Sequence, residues 1–224
     1  MKAAPKIIVL VHGFACSRIN MLPLAFYFKR HGYTVINWGY NSFRRGIKYH
    51  AQALHAELLK VPENGIIHAI GHSLGGVILR DALSDLNRLR GSLVTLGTPH
   101  QGSELIRRNP TLFGNRFVPQ VLHELHPDHP VVRSIPVPDM SIGCIVGIEP
   151  FNVLNPISWL GRATLGELRH DGTVECDSAK LDGVQHYIEV PINHGFLPVH
   201  PRVMALCLDF IEQGAFPQPT SAGR

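Results

Sequence analysis

The sequence has no apolar run that approaches the ~20 residues of a membrane-spanning helix, so no such helix is expected. It also has no recognisable secretory leader. Met1 to Lys6 is short and polar. Ile7 to Val11 is too short for a leader's apolar core, and no small-residue cleavage site follows it. A cytoplasmic protein is therefore expected. Cysteine is scarce: Cys16, Cys144, Cys176 and Cys207 lie far apart, with no C-x-x-C or metal-ligand spacing. That argues against a disulfide scaffold or a zinc module and for free, mostly buried thiols. Charge is modest at 17% of residues, and the net charge of +4 comes from scattered Lys and Arg rather than a basic tract. Nucleic acid is not an expected partner. No internal repeat and no interdomain linker interrupts residues 1–224. With 45% hydrophobic residues, the chain reads as one large domain with a substantial core, and as a monomer.

What the sequence does hold is Gly65-Ile66-Ile67-His68-Ala69-Ile70-Gly71-His72-Ser73-Leu74-Gly75-Gly76. It reads as a buried strand, a one-residue elbow and the first turn of a helix. Gly71, Ser73 and Gly75 fit G-x-S-x-G, in which a serine on a strained strand-to-helix turn is pushed into the open. The flanking glycines are needed where the backbone passes close to other backbone. The helix beginning at Leu74 brings unpaired N–H groups and a positive dipole end beside the serine. An oxyanion would need stabilising there.

The rest alternates strand and helix. Strands are expected at Lys6–Val11, Tyr33–Trp38, Ile66–Gly71, Ser92–Leu96, Ser141–Gly147 and Gln185–Val190. Helices are expected at Met21–His31, at Gly46–Lys60 with Ile47, Leu54, Leu58 and Leu59 on one side, after Ser73 to about Arg90, and at Val199–Glu212 with Val203, Leu206, Cys207 and Phe210 inward. That rhythm predicts an α/β fold with a mostly parallel central sheet covered by helices on both faces. Chemistry in such sheets sits at the carboxyl ends of strands, the edge that His12, Ser73 and Thr98 would share. Residues 104–140 break the rhythm with many prolines and read as a small cap or lid insertion carrying one or two short helices. Glu149–Leu168 reads as mixed loop, and residues 216–224 as a flexible tail.

A serine nucleophile needs a base, and the base an acid to hold its tautomer. After this elbow the expected chain order is Ser, acid, His. Ser73, Asp171 and His194 comply. With fourteen histidines, rivals exist: His170, His186 and His200 for the base, and Glu149, Asp139 and Asp177 for the acid. Glu149 is the strongest rival because it directly follows a strand. Leu74 and Phe14, the residue after His12-Gly13, are the expected oxyanion donors, and His12 and His72 are assigned to substrate binding.

The segments at 7–14 (IIVLVHGF), 69–77 (AIGHSLGGV), 93–103 (LVTLGTPHQGS), 152–156 (NVLNP), 170–183 (HDGTVECDSAKLDG) and 192–197 (INHGFL) resemble the α/β-hydrolase superfamily. More narrowly they resemble the bacterial true lipases and related short esterases, with a fainter similarity to GPI-inositol deacylases. The resemblance implies an α/β-hydrolase fold and acyl-enzyme chemistry on a carboxylic ester or lipid substrate, with Ser73 as nucleophile, Asp171 as acid, His194 as base and no cofactor. The DGTV match favours Asp171 over Glu149. Larger members bind a structural calcium through an aspartate in an L-D-P motif and another two residues beyond the catalytic histidine. Here those positions are Asn155 and Phe196, so no calcium site is expected. The insertion is short for a large interfacial lid, which favours soluble, shorter esters over long-chain fats. An acyltransferase or thioesterase using the same residues, and a catalytically silent binding protein on the same scaffold, are the alternatives. Arg107, Arg108, Arg116 and Arg133 read as a solvated face, with weak contact to an anionic membrane surface as the alternative.

Overall fold

The computed structural model describes residues 4–86, 90–109 and 118–217. In chain order the elements are β1 (Lys6–Val11), α1 (Leu22–Arg30), β2 (Thr34–Trp38), α2 (Ile47–Leu58), β3 (Ile66–His72), α3 (Leu74–Ser84), β4 (Arg90–Leu96), α4 (Glu104–Arg108), α5 (Gln120–Glu124), α6 (Pro130–Ser134), β5 (Ser141–Gly147), α7 (Pro156–Leu165), β6 (His186–Val190) and α8 (Pro201–Gln213). The strands form one sheet in the order β2-β1-β3-β4-β5-β6, and every neighbouring pair is parallel.

The β1 sequence explains its central place. Side chains alternate across a strand, and both sets here are apolar: Ile7, Val9 and Val11 point to one face, Ile8 and Leu10 to the other. On the first face lie α2 and α3, through Ile47, Leu54, Leu58, Val77 and Ile78. On the second lie α1 and α8, through Leu24, Phe28, Val203, Leu206, Cys207 and Phe210. Each fully buried large side chain contributes about 1.5–3 kcal/mol, so both faces are needed. The crossover from β1 to β2 runs outward along one face, and the one from β2 to β3 returns along the other. The loops after β1 and β3 therefore part at the carboxyl edge, which is where such sheets open a crevice.

Several local expectations change. Leu59 lies past the last turn of α2 and is exposed. The helix expected to reach Arg90 ends at Ser84, and Arg90 opens β4. The stretch read as loop between Glu149 and Leu168 contains α7. Asn155 caps it by accepting the Ile157 N–H at 3.2 Å, and Pro156 occupies the first helical position. Proline there signals a start rather than a break, because its missing N–H would have no intrahelical partner. The described residues of the insertion hold three short helices where one or two were expected, and its residues 110–117, including Arg116, lie outside the described residues. Its described parts are fastened to the core. Val121, Leu122, Leu125, Val132 and Ile135 are buried, and Glu124 caps α2 by accepting the Ile47 N–H at 2.5 Å. Of the expected tail, Phe216 packs against Phe210 with ring centroids 4.8 Å apart, and residues 218–224 lie outside the described residues.

Candidate active site

Ser73 stands at the junction of β3 and α3 with φ 53° and ψ −125°, a backbone conformation that non-glycine residues rarely adopt. The strain is held by what surrounds it. The Ser73 N–H donates to the Leu96 carbonyl at 2.9 Å. A Cβ at Gly71 would lie 2.5 Å from the Gly76 Cα, and one at Gly75 would strike the Val11 carbonyl. The two glycines of the motif are therefore required by close backbone approach. Gly13 also abuts the serine: a Cβ there would lie 3.0 Å from the Ser73 Cβ. The loop after β1, carrying Phe14, thus lies against the elbow, and Leu74 supplies the first N–H of α3.

Asp171 and His194 meet at the same edge. The His194 Nδ1–H donates to Asp171 Oδ2 at 2.7 Å, and the two residues are 7% and 1% exposed. The carboxylate is not free to turn, because its Oδ1 accepts the N–H groups of Thr173 and Val174 at 3.0 and 2.8 Å. The backbones are tied too, His194 N–H donating to the Asp171 carbonyl at 2.8 Å. Gly97, at φ 53°, closes the floor: a Cβ there would lie 2.7 Å from Asp171 Oδ2 and 2.9 Å from His194 Nδ1. Any side chain at the end of β4 would wedge the pair apart. The rival acid Glu149 is exposed. Among the rival bases, His186 opens β6 and His200 caps α8 through the Arg202 N–H.

His12 and His72 lie beside the elbow, in the chain positions next to Gly13 and Ser73. Both rings are buried beneath the edge, at 1% and 4% exposure. The His72 Nε2–H donates to the His194 carbonyl at 3.1 Å and its Nδ1 has no partner. Burial, then the neighbouring His194, lowers its pKa well below the usual value, so it stays neutral. His12 stacks on Tyr40 with centroids 4.5 Å apart, and burial lowers its pKa as well.

Sequence reasoning passed over Asn193. Its Nδ2 donates to the carbonyls of Glu149 and Asp171 at 3.0 and 2.9 Å, and its Oδ1 accepts from Asn155 Nδ2 at 2.7 Å. One side chain thus ties the Asp171 loop, the His194 loop and the start of α7. The signal was its position directly before His194. The Asn155–Asn193 bond also bears on calcium. Two neutral amides satisfy each other where a calcium site would want carboxylates, and Phe196 offers none, so these residues do not fit that ion. Among the described residues, no group of three or more His, Cys, Asp or Glu is placed to hold a metal.

A cavity of about 770 Å³ lies away from the serine, between α4, α6 and the 175–182 segment. Two buried charges line it. Arg80 donates to the carbonyls of His100 and Ile135 at 3.2 and 2.8 Å. Glu175 is 5% exposed, and no side chain hydrogen-bonds its carboxylate. Burial first, then the carboxylates of Glu104 and Asp171, raises its pKa to about 7 against backbone groups that lower it.

The family described as "Putative serine esterase (DUF676)" matches residues 1–128. No curated protein matches the chain in sequence. Among solved structures, the chain is similar to the Bacillus licheniformis lipase BlEst2. The propeptide form gives 18% identity and a TM-score of 0.78 over 98% of this chain and 52% of that one, so this chain spans about half its length. The mature form gives 18% and 0.69 over 91% and 93%. A metagenomic carboxyl esterase, MGS0156, gives 17% and 0.74 over 96% and 77%. At these identities the likeness is one of fold.

Proposed function

The chain belongs to the family described as "Putative serine esterase (DUF676)" within the α/β-hydrolase superfamily, and from that premise we propose that it cleaves carboxylic esters through an acyl-enzyme on Ser73. The observation that carries the reading is the buried 2.7 Å hydrogen bond from His194 to Asp171, at the edge where the strained serine emerges. The family match covers the elbow and the loop after β1 but ends before both of these residues, so their pairing is independent support.

In this reading His194 Nε2 takes the Ser73 proton as Oγ attacks the ester carbonyl carbon. Asp171 holds the proton on Nδ1 and stabilises the imidazolium. The oxyanion is met by the N–H groups of Leu74 and Phe14, fixed donors that need no reorganisation during the reaction. The intermediate collapses, the alcohol leaves with the proton from His194, and Ser73 carries the acyl group. Water, deprotonated by His194, attacks the acyl carbonyl. The carboxylic acid departs and Ser73 regains its proton. No cofactor enters any step.

The test is hydrolysis of p-nitrophenyl esters of graded chain length, with fluorophosphonate labelling, by wild type and Ser73→Ala. Labelling confined to wild type and a loss of turnover in the variant are expected. Equal rates would overturn the nucleophile, and the chain-length profile would place the substrate between short esters and lipids.

A further inference from the structure

We propose that His12, fixed in one tautomer by Tyr40 and assisted by Ser42, positions the oxyanion donor of the loop after β1 instead of touching substrate. This rests on the esterase reading above, in which the Phe14 N–H is that donor.

The argument starts from a proton count. The Tyr40 N–H donates to His12 Nε2 at 3.3 Å. A backbone amide only donates, so Nε2 is the acceptor and the ring proton is on Nδ1. His12 Nδ1–H then donates to the Gly13 carbonyl at 2.9 Å, where the Cys16 N–H also arrives at 3.4 Å. Gly13 C=O and Phe14 N–H belong to one planar peptide unit and point opposite ways. Fixing the carbonyl on one side therefore fixes the N–H on the other. The His12 ring acts on the one peptide whose N–H matters.

The loop after β2 completes the hold. The Tyr40 hydroxyl donates to the His12 carbonyl at 3.0 Å, and its ring stacks on His12 at an interplanar angle of 11°. Ser42, 2% exposed, accepts the Ala15 N–H at 3.0 Å. Ala15 has φ 52°, a left-handed conformation that costs an alanine about 1–2 kcal/mol, and it needs such a partner. Strain held by several neighbours next to a reactive group is how preorganised sites are built.

Substitutions at His12 separate the two ring nitrogens. The amide nitrogen of Asn can take the place of Nδ1 and keep the bond to Gly13; the amide oxygen of Gln can take the place of Nε2 and accept from Tyr40, but leaves the Gly13 carbonyl without its donor. Each variant empties one of the two bonds. The assay measures kcat per site titrated with fluorophosphonate, KM for p-nitrophenyl butyrate, and inhibition by butylboronic acid, which forms a tetrahedral adduct. Losing an oxyanion donor lowers kcat by about 10²–10³-fold, and a misaimed donor loses part of that. His12→Gln is expected to lower kcat and boronate affinity together by at least about 10-fold with KM near wild type. His12→Asn should retain most of both. Ser42→Ala should fall in the same way as His12→Gln, and Ser42→Thr should recover. Equal kcat in the Asn and Gln variants, or a loss confined to KM, would overturn the proposal. So would wild-type kcat in Ser42→Ala, a variant that keeps the measurement available should a His12 variant not fold. A wild type that neither labels nor hydrolyses would instead overturn the esterase reading beneath it.

Discussion

Glu175→Gln should make the protein more stable in alkaline solution and leave it nearly unchanged in acid. Glu175 is buried, no side chain hydrogen-bonds its carboxylate, and its pKa is raised from 4.5 to about 7. At Glu175 the folded and unfolded chains hold the same number of protons below about pH 4, where its carboxyl is neutral in both. Between 4.5 and about 7 the folded state keeps a proton that the unfolded state has released, so stability falls as pH rises through that window. Above it the loss is complete. At about 1.4 kcal/mol per pH unit, the gap amounts to about 3 kcal/mol. Gln fills nearly the same volume and carries no charge at any pH. The stability difference between variant and wild type should grow from near zero at pH 4 to about 3 kcal/mol at pH 8.5. Urea midpoints of both proteins at the two pH values measure it, and other titrating groups cancel because each comparison is made at one pH. An offset that is the same at both values would refute the reasoning, because Glu175 would then not be the group titrating across that range.

Four further outcomes follow. Asp171→Asn should lower kcat by about 10³–10⁴-fold, while Glu149→Gln stays within a few-fold of wild type; steady-state kinetics compares them, and a larger loss at Glu149 would reverse the assignment of the acid. Asn193→Ala leaves two carbonyls and the Asn155 amide without their partner, and should cost about 2–3 kcal/mol, read as a melting temperature lower by ~4–12 °C. Gly75→Ala drives a Cβ into the Val11 carbonyl, and should yield little folded protein by circular dichroism. Gly166→Ala, at φ 57° and ψ −117° with open space around it, should fold and lose about 1–3 kcal/mol.

The sheet was legible because its strands are short apolar runs separated by turn residues, and the elbow because glycine spacing encodes close approach directly. The six strands fall where the apolar pattern put them, within two residues at their ends. What local pattern could not supply was α7, which was read as mixed loop although Pro156 begins a turn capped by Asn155. The positions of the rings of His12 and His72 were illegible for another reason. A histidine beside a nucleophile reads as wet and functional, but whether it faces substrate or lies under the loop depends on Tyr40, 28 residues away, and on His194, 122 residues away. Asn193 was hidden in the same manner, its partners being backbone carbonyls that carry no sequence signature.

The place of β6 has a consequence for the order in which the molecule becomes active. It is the last strand, it pairs only with β5, and His194 follows it. During synthesis at ~5–20 residues per second, Ser73 emerges roughly 6–24 s before His194. In that interval the growing chain presents a finished elbow and an apolar, unpaired edge at Ile142 to Val146, a surface suited to premature association. Pairing β6 onto β5 covers that edge and, on the esterase reading, delivers the base in the same event.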